Sequence, residues 1–149
     1  MHQGAVDVLG PVVDPQTVHQ SKFSMGTVLG LIAVRGSAGL TDFDAHWRDP
    51  EILAFAGRVT MQLDAEIDAA YPKRWIGKVE VLTKDGRRLG ARVDEPKGDP
   101  GNTLSRTELE DKAQRLAAYR DGASVAEMTR AIGLIRALRK TPRVGQLLR

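Results

Sequence analysis

The segment Met25 to Val34 constrains this chain most: ten consecutive residues without a charge, with Thr27 the one polar side chain. The spacing predicts a helix over residues 21–34, with Phe23, Met25, Val28, Leu29, Leu31 and Ile32 distributed nearly all round it. A helix with so little polar face must be buried, so the fold has to wrap other elements around it. Gly26 and Gly30 are four apart and fall on one side, which fits close helix packing; the spacings of a P-loop and of a dinucleotide fingerprint are both absent. Gly36 and Gly39 are expected to end the helix. Ten residues cannot span a bilayer, which takes about 20.

The 149 residues suffice for one ordinary domain with a real core. Cysteine is absent, which excludes a disulfide framework, a thiolate nucleophile and Cys-based metal sites. His2, His19 and His46 show no ligand spacing, so no metal is expected. No basic and apolar leader stands at the N-terminus, and a soluble, cytoplasmic protein is expected. Net charge is +3, yet no acid follows Glu127, whereas Arg130, Arg136, Arg139, Lys140, Arg143 and Arg149 do. Such a cluster can bind nucleic acid. Without interleaved aromatic residues or a binding motif, a solvated helix face is the better reading.

Residues 1–18 read as a loop punctuated by Pro11 and Pro15, with a partial strand at Ala5–Leu9. Thr41 is the expected cap of a short helix, and Pro50 the first residue of another that stops at Gly57. Val59–Leu63 alternates apolar and polar residues and reads as a strand, and Asp64–Asp68 as a helical turn. A hairpin follows. A two-residue turn at Asp85-Gly86 would split its apolar residues between faces. The three-residue loop Lys84-Asp85-Gly86 pairs Val81 with Leu89 and Val79 with Ala91, gathering them on one face. Ser105-x-x-Glu108 and Ser124-x-x-Glu127 are capping boxes ahead of two amphipathic helices. Thr141-Pro142 should close the last helix, leaving a basic tail over 143–149. The expected fold is α+β, a two-layer sandwich of a small antiparallel sheet with helices packed on one face, and its main domain spans residues 19–142.

Chemistry-bearing residues concentrate ahead of the buried helix. Lys22 could neutralise a carboxylate, Ser21 and Ser24 offer hydroxyls, and His19 could exchange protons near neutral pH. The competing reading is structural: Ser21 caps the helix, while His19 and Lys22 are solvated. Pro96-Lys97-Gly98-Asp99-Pro100 fixes a loop that could present Lys97 and Asp99 to a ligand or a neighbouring domain, or simply turn the chain. In Tyr71-Pro72-Lys73-Arg74-Trp75, Trp75 is expected on the core and Lys73 and Arg74 in solvent.

Seven motifs in order resemble the MmgE/PrpD family, the relatives of 2-methylcitrate dehydratase. They are S-K-F-S-M-G from Ser21, L-x-x-F from Leu40, D-P-E-I-L from Asp49, V-T-M-Q-L-D from Val59, D-A-A-Y-P-x-x-W from Asp68, the hairpin from Val79, and P-K-G-D-P-G-N-T-L-S from Pro96. The resemblance covers about residues 5–140. It implies dehydratase, decarboxylase or epimerase chemistry on a small polycarboxylate, by proton transfer and without metal or organic cofactor. It also implies a large helical domain carrying most catalytic groups, beside a smaller α+β domain to which this chain is similar. Lys22, Ser24 and Thr27 become candidates for the active-site wall. Many relatives carry a tyrosine near the position of Thr27, and threonine supplies no phenol. Lys97 and Asp99 fall in the family's K-G-D-P loop, with a substrate-binding or interdomain role. The expectation is a domain inactive without a helical partner, prone to homo-oligomerise through an exposed sheet edge; the alternative is an interaction module that reuses the fold.

Overall fold

In a computed structural model, residues 1–140 and Gly145 are described. The expected stop at Thr141-Pro142 and the basic tail from Arg143 lie outside those residues, Gly145 apart. Two compact units divide the chain between Asn102 and Thr103.

The first unit begins with α1 (Gln3–Leu9). The loop and partial strand expected over residues 1–18 are thus corrected. His2 supplies a cap, its Nδ1 accepting the Ala5 N–H at 3.2 Å, and no proline interrupts the chain before Pro11. Val6 and Val8 alternate as in a strand, but a capped turn needs no strand partner and forms locally.

The predicted 21–34 helix is two helices. α2 (Val18–Ser21) is capped by Thr17, and α3 (Met25–Arg35) by Ser24, with a bend at Lys22–Ser24 between them. Gly36, at φ 82°, closes α3 with its N–H on the Ile32 carbonyl. The short helices α4 (Leu40–His46) and α5 (Pro50–Ala56) follow. Asp42, rather than Thr41, organises the start of α4 by accepting the Gly39 N–H at 2.7 Å. Pro50 holds the first position of α5, as expected, and Gly57 its end.

α3 packs most closely on α5, and both glycines explain how. A Cβ at Gly26 would stand 3.0 Å from the Ala56 carbonyl oxygen, and one at Gly30 the same distance from that of Ile52. Leu31, Phe43 and Ile52 form the core there, joined by Val18, Val28 and Ala38. Among the described residues Val59–Leu63 forms no strand. The segment continues into α6 (Ala65–Ala70), capped by Asp64. At its start the Val59 N–H donates to the Ala56 carbonyl at 3.0 Å; at its end the Met1 amino group donates to the Gln62 carbonyl at 2.7 Å and the Met1 carbonyl accepts the Asp64 N–H at 3.0 Å.

β1 (Gly77–Leu82) and β2 (Arg88–Val93) form an antiparallel sheet in the predicted register, Val81 opposite Leu89 and Val79 opposite Ala91. Gly86, at φ 84°, supplies the left-handed residue of the three-residue loop. The fold is α+β. The apolar face of this sheet stays exposed in the first unit, and the polar face is tied to α6: Lys78 pairs with Asp64 (2.8 Å) and Glu66 (2.7 Å), and Arg92 with Glu66 (2.7 Å). Trp75 also departs from expectation. It is half-exposed, edge-on to Tyr71 at 5.1 Å, while Arg74 pairs with Asp94 and Glu95.

In the second unit α7 (Arg106–Ala118) and α8 (Val125–Ala137) carry both capping boxes as predicted. They are joined by Arg136 on Glu110 and by the Gln114 amide donating to the Thr129 hydroxyl.

Candidate functional site

The bend between α2 and α3 gathers His19, Lys22, Ser24 and Thr27 into nine consecutive residues; Lys97 and Asp99 belong to a separate turn. The bend forms because two caps compete for one stretch. Ser24 is extended (φ −100°, ψ 111°), so the helix that ends at Ser21 cannot run into α3. The Ser24 hydroxyl accepts the Thr27 N–H at 3.3 Å, and Ser21 donates its hydroxyl to the Val18 carbonyl at 2.7 Å. Both serines are buried, and both hydroxyls serve the backbone.

The other three residues differ in kind. Lys22 is half-buried at the end of α2 with no ion-pair partner among the described residues. An ammonium held against the protein without a carboxylate is suited to an external one. Thr27 is fully buried, and its Oγ1 has no hydrogen-bond partner. Such an orphan costs about 1–3 kcal/mol. His19 is exposed, its ring tilted against Phe23 at 5.1 Å.

Beside the start of α3 opens a cleft of about 700 Å³, lined by Ser24, Met25 and Gly26 on one side and by Val12, Ala56 and Met61 among others. Its lining is mainly apolar, with Asp7 as its one charge. A polycarboxylate would find repulsion there, not a cradle. Cationic groups beyond this cleft, Lys22 among them, would have to supply the attraction.

Lys97 is exposed on a turn held by its own residues. The Gly98 N–H donates to the Asn102 carbonyl (2.8 Å), the Asp99 N–H to the Pro96 carbonyl (3.1 Å), and the Asn102 amide to the Glu95 carbonyl (2.9 Å). Gly98, at φ 107°, is the residue this loop needs there.

Two constellations went unpredicted. Asp49 accepts from Arg35 at 2.7 Å and lies 2.8 Å from His46 Nδ1. The Arg35 guanidinium foremost, then His46, holds its carboxyl below the ordinary range. His46 and Asp49 are three apart, a usable signal, but Arg35 arrives from another helix. His2 is buried with its ring stacked 4.0 Å from Tyr71, a pairing across 69 positions that no local pattern shows.

Residues 1–136 match the C-terminal domain of MmgE/PrpD proteins, and the chain belongs to that family. No curated protein matches the chain. No described helix is long and apolar enough to cross a membrane.

Proposed function

We propose that this domain forms one wall of a lyase or isomerase site for a small polycarboxylate, the opposite wall being supplied by a helical domain. The observation that carries the reading is Lys22, a half-buried ammonium with no counter-charge among the described residues, set at the head of the core helix. Removing a proton beside a carboxylate builds enolate-like charge, which a positioned cation stabilises. Ser24 is a positioning residue, because its hydroxyl fixes the bend that aims Lys22. Thr27 brings a buried hydroxyl still able to bond. His19, three residues before Lys22, is the candidate base, and Lys97 and Asp99 contact the neighbouring domain or the substrate.

Family membership supports the substrate class, and the acidic, largely apolar cleft supports the need for a second domain. The chain is expected to be inactive by itself toward 2-methylcitrate and cis-aconitate, and active when mixed with a helical domain from the family. Turnover by the chain alone would refute the reading. A role as an interaction module is favoured by one observation, the exposed apolar sheet face. It predicts binding to the helical domain without turnover.

A further inference from the structure

Met1 and Leu63 form one rung of a parallel ladder. The Met1 amino group donates to the Gln62 carbonyl at 2.7 Å, and the Asp64 N–H donates to the Met1 carbonyl at 3.0 Å. A residue that bonds to the groups on either side of its partner is parallel; an antiparallel pair exchanges its bonds directly. Upstream the segment keeps a two-residue period, with Val59 and Met61 half-buried and Thr60 and Gln62 exposed. Alternation turns the backbone groups of Thr60 and Gln62 to the side on which Met1 sits, and those of Met61 and Leu63 to the other. The Gln62 N–H, the Thr60 N–H and carbonyl, and the Arg58 carbonyl have no backbone partner among the described residues. These four groups are the donors and acceptors of two further parallel rungs, one opposite Met61 and one opposite Val59.

We propose that this edge takes the extended C-terminal tail of a second polypeptide, running parallel to Val59–Leu63 and ending at Met1. Met1 sets the direction and the register, because it already holds the rung opposite Leu63. A tail on the same edge stops there, and its terminal carboxylate meets the positive charge of the Met1 amino group. Its penultimate residue lies opposite Met61, and the residue two before that lies opposite Val59. Val59 and Met61 line the largely apolar cleft together with Val12 and Met25, so those two tail positions are apolar. The alternate positions follow Thr60 and Gln62 into solvent and are polar. Backbone bonds supply the affinity and the two apolar positions the selectivity, as in other strand additions. On the opposite edge no described residue is bonded to Met61 or Leu63, so nothing fixes a direction there. The inference concerns docking alone and is independent of the role given to Lys22.

The probe is the pentapeptide acetyl-Thr-Val-Thr-Val-Thr with a free C-terminal carboxylate, added to the full chain while amide hydrogen exchange is read residue by residue. At saturating peptide the Thr60 and Gln62 amides should exchange roughly tenfold more slowly, and those of Met61 and Leu63 as before. Methylating the amide nitrogen of the penultimate valine removes its bond to the Thr60 carbonyl and should weaken binding roughly fivefold or more. The same change at the central threonine, whose N–H faces away, should leave binding intact. A C-terminal carboxamide should weaken binding about twofold. Only the peptide differs between these arms, so the fold of the chain is common to all of them. Protection of Met61 and Leu63 in place of Thr60 and Gln62, equal losses from the two methylations, or a carboxamide that binds as well as the acid would each overturn the proposal. So would protection that grows with chain concentration in the absence of peptide, the sign of a second copy on the edge, or no protection at millimolar peptide.

Discussion

The α3–α5 pair and the β1–β2 hairpin belong to one unit and are held by opposite means. In the helix pair two glycines let the backbones approach, and Leu31 and Ile52 are wholly buried in the gap. The hairpin buries no residue. Register, one left-handed glycine and ion pairs to α6 define it instead. Side-chain volume therefore decides stability in the first region, and backbone conformation and charge decide it in the second. The bend bearing Lys22 leads directly into α3 through its cap Ser24, so the candidate site adjoins the firmer half.

Substitutions can break that contrast. Ile52→Ala should cost most, about 3 kcal/mol in denaturant unfolding, because a fully buried side chain is deleted from a close contact. Gly30→Val should cost about 2 kcal/mol, since the added carbons meet the Ile52 carbonyl and Cγ2. Gly86→Ala should cost about 1 kcal/mol through the positive φ alone, with Trp75 fluorescence as the probe beside the sheet. Val81→Ala should cost below about 0.5 kcal/mol, as its side chain stays exposed. If Val81→Ala proved as costly as Ile52→Ala, the apolar sheet face would have to be covered in solution, and the contrast would fail.

Acid sharpens the same comparison. Arg92, followed by Lys78, lowers the Glu66 carboxyl from 4.5 to about 2. A depressed folded value means that its stabilisation is complete above the ordinary carboxylate range and is lost as pH falls through that range toward 2. Hydrogen exchange in β1 and β2 should accelerate over that interval while α3 stays protected. Glu66→Gln should abolish the Glu66 share of the pH dependence, the smallest effect of the series.

What could be read from the residues was whatever closes locally. The two capping boxes, Pro50 at the start of α5, and the hairpin register each depend on residues a few positions apart, and all three are present. Val59–Leu63 shows the limit of periodicity. Alternation describes a surface suited to a strand, but a strand needs a partner, and among the described residues only Met1 bonds to the end of this segment. The α2–α3 bend was hidden because apolar residues continue through it, whereas Ser24 sets the break by its φ, ψ and cap. The candidate site was legible as a stretch of sequence. What the stretch could not show is that Ser21 and Ser24 are occupied by the backbone, that Thr27 is buried, and that Asp7 faces the cleft.

Lys22 offers the most direct test. In a mixture of this chain with a helical domain that supports turnover, Lys22→Ala should lower kcat/KM for the polycarboxylate by roughly a hundredfold, the worth of one charge-assisted contact of about 3 kcal/mol. Lys84→Ala, in the hairpin loop, should leave it unchanged. Equal activity of the wild-type and Lys22→Ala mixtures would contradict the assignment of Lys22 to the site.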